Sequence, residues 1–426
     1  MLRQNVTFVQ IHLNKANIMM ITGIEIHNFR SIRDLSILEF DRHANLFVGK
    51  NGAGKSSLLD AISNVMSWFV ARMLSNTGRG RDIAVNDIGF RSKEGAEIRL
   101  QLDGDQWSSL YRSKEIKKDG KSDLSPLNAL VKTLRESIEA NPQTSVPVYV
   151  HYGVGRVVAD IPLRIRKNPK RDVTNAYVEA LESSASFRDF FAWFREQEDL
   201  ENEYIRENPQ YRDRGMEAIR DAMSKVFSEF SDMRVRRSPR SIQIKKEGDV
   251  LRLEQLSDGE KCYIALVCDL TRRLTIANPA IANPLDGAGI VLIDEIDLHL
   301  HPEWQMDVVT RLITTFPNCQ FFVTTHSPIV ASDVKGRVFV MERGQAYPRV
   351  TYGKDSEQIL ASAFGVANPR NKTVQGMMDD AYTAIREGRM DAAKGILADI
   401  ASAVGQDDPV VSGIKLEMAR RSGGRK

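Results

Sequence analysis

Cysteine is scarce in this chain, with three in 426 residues, at Cys262, Cys268 and Cys319. None stands in a CxxC pair and an odd number leaves one over. A disulfide framework and a thiolate metal site are therefore excluded, and a reducing cytoplasmic compartment is expected. Long apolar runs are missing as well. The longest are about five residues, where a membrane-spanning helix needs about 20, so no membrane partner is expected. The opening MLRQNVTFVQIHLNKAN has no continuous apolar stretch and does not read as a secretory signal. Charge of one sign is also lacking. A formal net charge of +3 neither demands nucleic acid as a partner nor excludes it. What remains is 42% hydrophobic, enough for a large core with room for additional subdomains.

Two segments far apart in the chain are the most informative. The first, GKNGAGKSS at Gly49 to Ser57, fits the pattern GxxxxGK[ST]. It lies between an apolar run (Leu46, Phe47, Val48) and a helical one (Leu58, Leu59, Ala61, Ile62). A strand that turns through glycines into a helix N-terminus aims backbone N–H groups at one spot, where a polyphosphate sits. Asn51, Gly52, Ala53, Gly54, Lys55, Ser56 and Ser57 are thus the candidate nucleotide cradle. Lys55 adds a point charge for the β/γ-phosphates, and the Ser56 hydroxyl is placed to coordinate Mg²⁺. The second segment, LSDGE at Leu256 to Glu260, is weak alone, because Ser-Asp-Gly is also ordinary turn chemistry.

The residues downstream give that second segment its weight. In GIVLIDEIDLHLHP, Gly289 to Pro302, the run Ile290 to Ile293 reads as a parallel strand buried on both faces. It ends in Asp294 and Glu295, where α/β sheets place their ligands. Asp294 fits the Walker-B role of holding Mg²⁺, and Glu295 fits a general base that orients the attacking water. FFVTTHSP, Phe321 to Pro328, is another apolar strand, delivering His326 at its end.

Phosphate loop, LSDGE, Asp-Glu pair and histidine stand in the order and spacing of the SMC/RecF group of ABC-type ATPases. The chain resembles that group from about residue 19 to residue 341. The opening ITGIEIHNFRSIRDLSILEF adds to the likeness, with a strand ending in Asn-Phe-Arg and a second hairpin strand before the phosphate loop. The resemblance implies an α/β fold, a P-loop NTPase head of ABC type whose mixed sheet is joined by an antiparallel lobe. A short helical insert and a C-terminal helical unit complete it. ATP and Mg²⁺ are the implied cofactors, and ATP hydrolysis to ADP and phosphate the implied reaction. By the same resemblance Arg30 contacts the nucleotide phosphates and His326 is a switch that senses the γ-phosphate. LSDGE is the signature loop, so Ser257 and Gly259 act on a nucleotide bound by the other subunit, and Asp297 is the D-loop aspartate coupling the two sites. One chain would hold two half-sites that cannot meet within it, so a homodimer or higher homo-oligomer is expected. IPLRIRK, FRDFFAWFREQEDLENE and LSDGEKC look most like short bacterial ATPases described as involved in virulence, close in kind to the PtuA-type ATPases of anti-phage systems. That likeness implies a nuclease or toxin effector as partner.

One departure stands in PVYVHYGVGR, Pro147 to Arg156, where Tyr152 falls at the place of a glutamine in many relatives. A tyrosine cannot ligate Mg²⁺ as an amide carbonyl does. Either the ion keeps an extra water, or Gln143 or His151 reaches in, with Arg156 another useful side chain. The other reading of Tyr152 is a packed core aromatic.

The expected organisation has five parts. Residues 1–18 read as an extension that is disordered or not part of the fold, because Met19 or Met20 directly precedes the first strand. Head lobes follow at 19–160 and 236–352, with a helical insert at 161–235 between them and a helical docking unit at 353–426. Glu97 to Leu102 and Gln106 to Arg112 alternate across Asp103-Gly104-Asp105 as a hairpin. The insert offers short helices around Tyr177 to Glu182, Phe187 to Glu207 and Tyr211 to Phe230. Sustained heptads are lacking, so no long coiled coil leaves this head. Its aromatic cluster (Phe187, Phe190, Phe191, Trp193, Phe194) either meets a partner or folds against the head. RIRKNPKR (Arg164 to Arg171) and RVRRSPR (Arg234 to Arg240) read either as a phosphate-tracking surface for DNA or RNA, or as solvated loop charges. His299 and His301 form an H-x-H pair without a third ligand nearby, and Pro302 begins a helix. After Glu342 the Asp379-Asp380 pair lacks the spacing of a built-in nuclease. The function expected is an ATP-driven clamp or sensor on nucleic acid that controls a nuclease or toxin in phage defence. The alternatives are a non-catalytic scaffold restraining an effector, or a RecF-like DNA-repair ATPase.

Overall fold

The computed structural model describes residues 19–423 except 91, 93, 103–105, 115–119, 156–171, 183–186, 239 and 367. The expectations for residues 1–18, for the turn at 103–105, for Arg156 and for the basic stretch 164–171 lie outside the described residues. The chain divides into two compact units, Met1–Ile359 and Leu360–Lys426.

The first unit is built on a six-stranded sheet in the order Gln345–Arg349, Arg337–Glu342, Ala44–Val48, Cys319–Thr325, Gly289–Ile293, Val148–Tyr152. Its last five strands run parallel and the Gln345–Arg349 edge strand is antiparallel. Four of the parallel strands are buried at every position, which is why their sequences carry apolar runs rather than strict alternations. Register aligns their C-terminal ends. Thr325 pairs with Val48, and Ile293 pairs with both Val323 and Tyr152. The phosphate loop, the Asp-Glu pair and the histidine therefore leave the sheet along one rim.

A four-stranded antiparallel sheet, ordered Ile32–Ile37, Ile21–Phe29, Gly95–Leu102, Trp107–Ser113, forms the second layer. Its expected hairpin is present, with Glu97 opposite Tyr111 and Gln101 opposite Trp107. A third, smaller meander comprises Phe230–Arg237, Arg240–Lys246 and Asp249–Arg252.

That meander corrects two expectations. The helix anticipated over Tyr211 to Phe230 spans only Arg214–Val226, and RVRRSPR is a strand and hairpin rather than a loop. Charges at most of its positions hide the alternation that turns Val235 inward. The helix anticipated around Tyr177 to Glu182 is a 3₁₀ turn at Val173–Tyr177, followed by Glu179 in the left-handed region at φ 54°, which a helix does not tolerate. The Phe187–Glu207 helix has the expected bounds. It packs on the Arg214–Val226 and Asp258–Ala277 helices, and Phe190, Phe191 and Phe194 are all buried. Of the two readings of the aromatic cluster, folding against the head is the one observed for these three rings.

The second unit is helical, as expected, with helices at Lys372–Arg386, Met390–Val404 and Pro409–Gly423. Ala381, Ala384, Ile385, Ala393, Ile400, Val411 and Ile414 close its core. A helix at Ser356–Ala363, not anticipated, straddles the boundary between the units. No helix among the described residues is long and apolar enough to cross a membrane.

Candidate nucleotide site

Past Val48 the chain passes directly beneath a neighbouring strand. A Cβ at Gly49 would lie 2.4 Å from the Met341 carbonyl oxygen, at a φ of +147° that favours glycine. Gly54, at φ +105°, opens the Lys55–Leu74 helix, and no side chain caps that helix start. Its first N–H groups are thereby left to face an incoming anion. Lys55 is only 5% exposed, and its ammonium donates to the carbonyls of Gly49 (2.9 Å) and Lys50 (3.2 Å), closing the loop from inside. Burial lowers its pKa, while Asp294, Glu295 and Asp297 pull it back up. Those three carboxylates therefore share the electrostatic environment of the loop lysine. Asn51, Gly52 and Ser56 are exposed, Ser57 is half-buried, and Ala53 is buried with its carbonyl accepting from the Gly344 N–H at 3.1 Å.

At the end of the Gly289–Ile293 strand, two places along the sheet from Ala44–Val48, the Asp294 N–H donates to the Tyr152 carbonyl at 2.8 Å, and the side chain is 8% exposed. The Thr324 hydroxyl donates to Asp294 Oδ1 and accepts from the Glu295 N–H at 2.7 Å. One hydroxyl so joins both acidic residues, using its single proton and a lone pair. Glu295 takes a left-handed φ of 49°, and its Oε1 lies 3.9 Å from His326 Nε2. Asp297 Oδ1 accepts from the Thr325 hydroxyl at 2.6 Å and from the His326 N–H at 3.3 Å. Lys55, Asp294, Glu295, Asp297 and His326 are thus brought to one place. The threonines were not singled out from sequence. Their signal was two hydroxyls directly after the buried apolar run Phe321–Val323.

Other candidates fall differently. Arg30 Nε donates to Asp87 Oδ1 at 2.8 Å, and its guanidinium also pairs with Asp60, on the helix after the phosphate loop. Both contacts are to carboxylates, although phosphate was the expected partner. Ser257 caps the Asp258–Ala277 helix in a reciprocal box. Its Oγ accepts from the Glu260 N–H, and Glu260 Oε2 accepts from the Ser257 N–H and hydroxyl, both at 2.8 Å. A Cβ at Gly259 would lie 2.0 Å from the His299 carbonyl oxygen, so this helix start rests on the segment just after Asp297. No hydrogen bond or ion pair among the described residues joins Ser257 or Gly259 to the phosphate loop of the same chain.

Tyr152 is a packed core aromatic and not a metal ligand. It is 1% exposed, and its hydroxyl donates to Asp269 Oδ2 at 2.9 Å. Asp269 is fully buried and also accepts from Arg272 and Arg273, each at 2.7 Å. Gln143 is exposed, and its N–H donates to Asn141 within a turn, while His151 is buried. His301 Nδ1 accepts from the Glu303 N–H as a helix cap, and among the described residues no cluster of three metal-ligating side chains exists. A cleft of about 620 Å³ lined by Glu198, Glu201, Arg220 and Arg237 lies apart from these residues, and its charges are paired with one another.

Residues 44–332 match the family described as "AAA domain, putative AbiEii toxin, Type IV TA system". The chain is 28% identical to "Retron Ec83 probable ATPase" of Escherichia coli, over 94% of this chain and 87% of that one. It is also 28% identical to "Septu protein PtuA" of Bacillus mycoides, over 77% of this chain and 41% of the relative. Among solved structures it is similar to an SMC head bound to the C-winged helix domain of ScpA, at 18% identity and a TM-score of 0.47, covering 77% of this chain and 96% of that one. The family match spans well over half of the sequence and takes in the phosphate loop, LSDGE, the carboxylate pair and His326, and the chain belongs to that AAA-domain family.

Proposed function

We propose that the chain binds ATP with Mg²⁺ and hydrolyses it, closing as a dimer in which the signature loop of each copy covers the phosphate loop of the other. The observation that carries this reading is the convergence on one sheet rim. An uncapped helix start, a buried lysine, two carboxylates joined by Thr324, and His326 at 3.9 Å from Glu295 meet there.

Backbone N–H groups from Asn51 to Ser57 bind the phosphates, with Lys55 as the fixed cation among them. Ser56 and Asp294 would hold Mg²⁺, which neutralises phosphate charge when bound. The fit is chemical, since an exposed hydroxyl and a carboxylate with one oxygen fixed by Thr324 are oxygen donors of the kind Mg²⁺ takes. Glu295 accepts the proton of the attacking water, with its carboxylate 3.9 Å from His326 Nε2. His326 senses the γ-phosphate, and Asp297 ties the histidine loop to the segment under the signature helix. The trans role of Ser257 and Gly259 draws support from the absence of a cis connection to the phosphate loop among the described residues.

The family description, which names a "putative AbiEii toxin, Type IV TA system", and the retron and Septu names of the relatives support a role in phage defence. There the ATPase acts as a nucleic-acid clamp or sensor controlling a nuclease or toxin effector. Glu295→Gln tests the chemistry and the assembly together. The amide keeps the shape but cannot accept the proton, so turnover should fall by about 10²- to 10⁴-fold while ATP affinity holds. Light scattering should find the variant trapped as a dimer with ATP. Turnover above a tenth of wild type removes Glu295 as the base, and a monomer at saturating ATP removes the composite site.

A further inference from the structure

We infer that the outward face of the small meander is a phosphate-tracking surface for duplex nucleic acid, connected to the signature cap through Lys246 and Glu260. The inference rests on the sensor reading above and assigns it a surface and a route.

Register sets the face. Arg234, Gln243 and Arg252 lie opposite one another across the three strands, so their side chains share a face with Arg236 and Lys245, each two residues along. Val235, Ile242 and Ile244 occupy the other face and are buried. Arg234, Arg236, Lys245 and Arg252 are exposed. In a chain of net charge +3 this is a local concentration, and most of it is without an ion pair among the described residues. Among the described residues no ion pair involves Arg236, Lys245 or Arg252, and Arg234 has only Asp232, at 4.0 Å. Arg236 Nε donates to the Ser238 carbonyl instead.

The cations of the inward face are treated differently. Lys246 pairs with Glu260, and Arg237 with Glu198 and Asp199. Neutralisation is thus available in this sheet and is withheld from the outward row, where mutual repulsion costs stability. A polyanion removes that cost. The face also selects the kind of polyanion. Single-strand binders stack bases on aromatic rings, and the aromatic of these strands, Phe230, is buried. Val250 is the exposed apolar side chain on this sheet. Contacts made here go to backbone phosphates, which a duplex presents continuously.

The route is set by connectivity. The Asp249–Arg252 strand runs straight into the Leu253–Gln255 turn and then Ser257. On the neighbouring strand Lys246 Nζ donates to Glu260 Oε1, while Glu260 Oε2 holds both the N–H and the hydroxyl of Ser257. A shift of the sheet therefore reaches the signature cap through one carboxylate.

Two variants test surface and route separately, with a random-sequence DNA duplex as the probe. The first combines Arg234→Ala, Arg236→Ala, Lys245→Ala and Arg252→Ala, measured with ATP in the Glu295→Gln background at several salt concentrations. Each lost phosphate contact should flatten the log–log salt slope by about 0.9, up to about 3.6 for all four. Arg236→Ala alone, expected to flatten it by about 0.9, reads the same face should the fourfold variant misfold. The second is Lys246→Met, which should bind duplex with wild-type affinity but lose duplex stimulation of ATP turnover, expressed as the ratio to its own basal rate. A wild-type slope in the fourfold and single variants overturns the surface. Full stimulation in Lys246→Met overturns the route. If the wild-type protein binds no duplex even at low salt, the sensor reading itself falls, which neither variant result alone would show.

Discussion

Replacing Asp269 by alanine should cost the fold about 3–5 kcal/mol, the usual consequence of removing one member of a buried ion pair. Asp269 is fully buried on the signature helix, facing Arg272, the 1%-exposed Arg273 and the Tyr152 hydroxyl. Arg273 also donates to the carbonyls of Ala176 and Val178, so it is fixed in place and would lose its buried carboxylate partner. Unfolding entropy near 2.1 cal/mol/K per residue gives about 0.7 kcal/mol/K for a unit of this size, so Tm should fall by about 4–7 °C. The penalty has a pH signature. Burial works to raise the Asp269 pKa, but the two arginines overcome it and the net shift is downward. A depressed carboxylate contributes stability above its unfolded pKa of about 3.9 and loses it as pH falls through the folded value. The gap between wild type and variant should accordingly be full at pH 7 and narrow below about pH 4. Calorimetric melts at both ends of that range read it. A Tm change under about 1 °C at pH 7, or a gap that persists undiminished into acid, refutes the reasoning.

Thr324→Val keeps the shape of the strand end but removes the hydroxyl shared by Asp294 and the Glu295 N–H. A hydrogen bond to a charged group is worth about 1.5–3 kcal/mol, so turnover should drop about ten- to hundredfold. ATP affinity, measured by equilibrium binding, should stay near wild type, and an equal loss of both would assign Thr324 to binding instead. Gly259→Ala places a Cβ 2.0 Å from the His299 carbonyl oxygen, and neither a Cβ, fixed by its own Cα, nor a backbone carbonyl can simply rotate away. The signature helix or the Asp297 segment must shift, and turnover should suffer far more than ATP binding to the isolated chain. Unchanged turnover in this variant would show that the two segments move freely of each other.

Much of the rim was legible because its physics is local. Strands buried on both faces appear as unbroken apolar runs, and Ile290–Ile293 and Phe321–Val323 are of this kind. Gly49, Gly52 and Gly54 all take positive φ, so the loop advertises itself in glycine. The unread parts depend on distant partners. Tyr152 meets Asp269 across 117 positions, and nothing near either residue in the chain announces the other. The roles of Thr324 and Glu260 likewise emerge only once a second strand is beside them. In RVRRSPR the arginines concealed an alternation whose buried inward member is a single valine, Val235.

The segment from Asp294 to Pro302 is where these distant contacts converge. Glu295 and His299 both hold left-handed backbone, at φ 49° and 63°, each costing about 1–2 kcal/mol for a residue with a Cβ. Such a conformation persists only where its surroundings over-determine it. Thr324 holds the Glu295 N–H from one side, Thr325 and the His326 N–H hold Asp297, and the His299 carbonyl abuts Gly259 on the other. The segment is therefore clamped between the histidine strand and the start of the signature helix. Glu260, which Lys246 grips from the meander, lies one residue beyond Gly259 on that same helix turn. A polyanion on the meander and a nucleotide on the rim would thus act on opposite ends of a single strained connection. Their effects on turnover should then be coupled, with Gly259→Ala abolishing the duplex response even where residual hydrolysis survives.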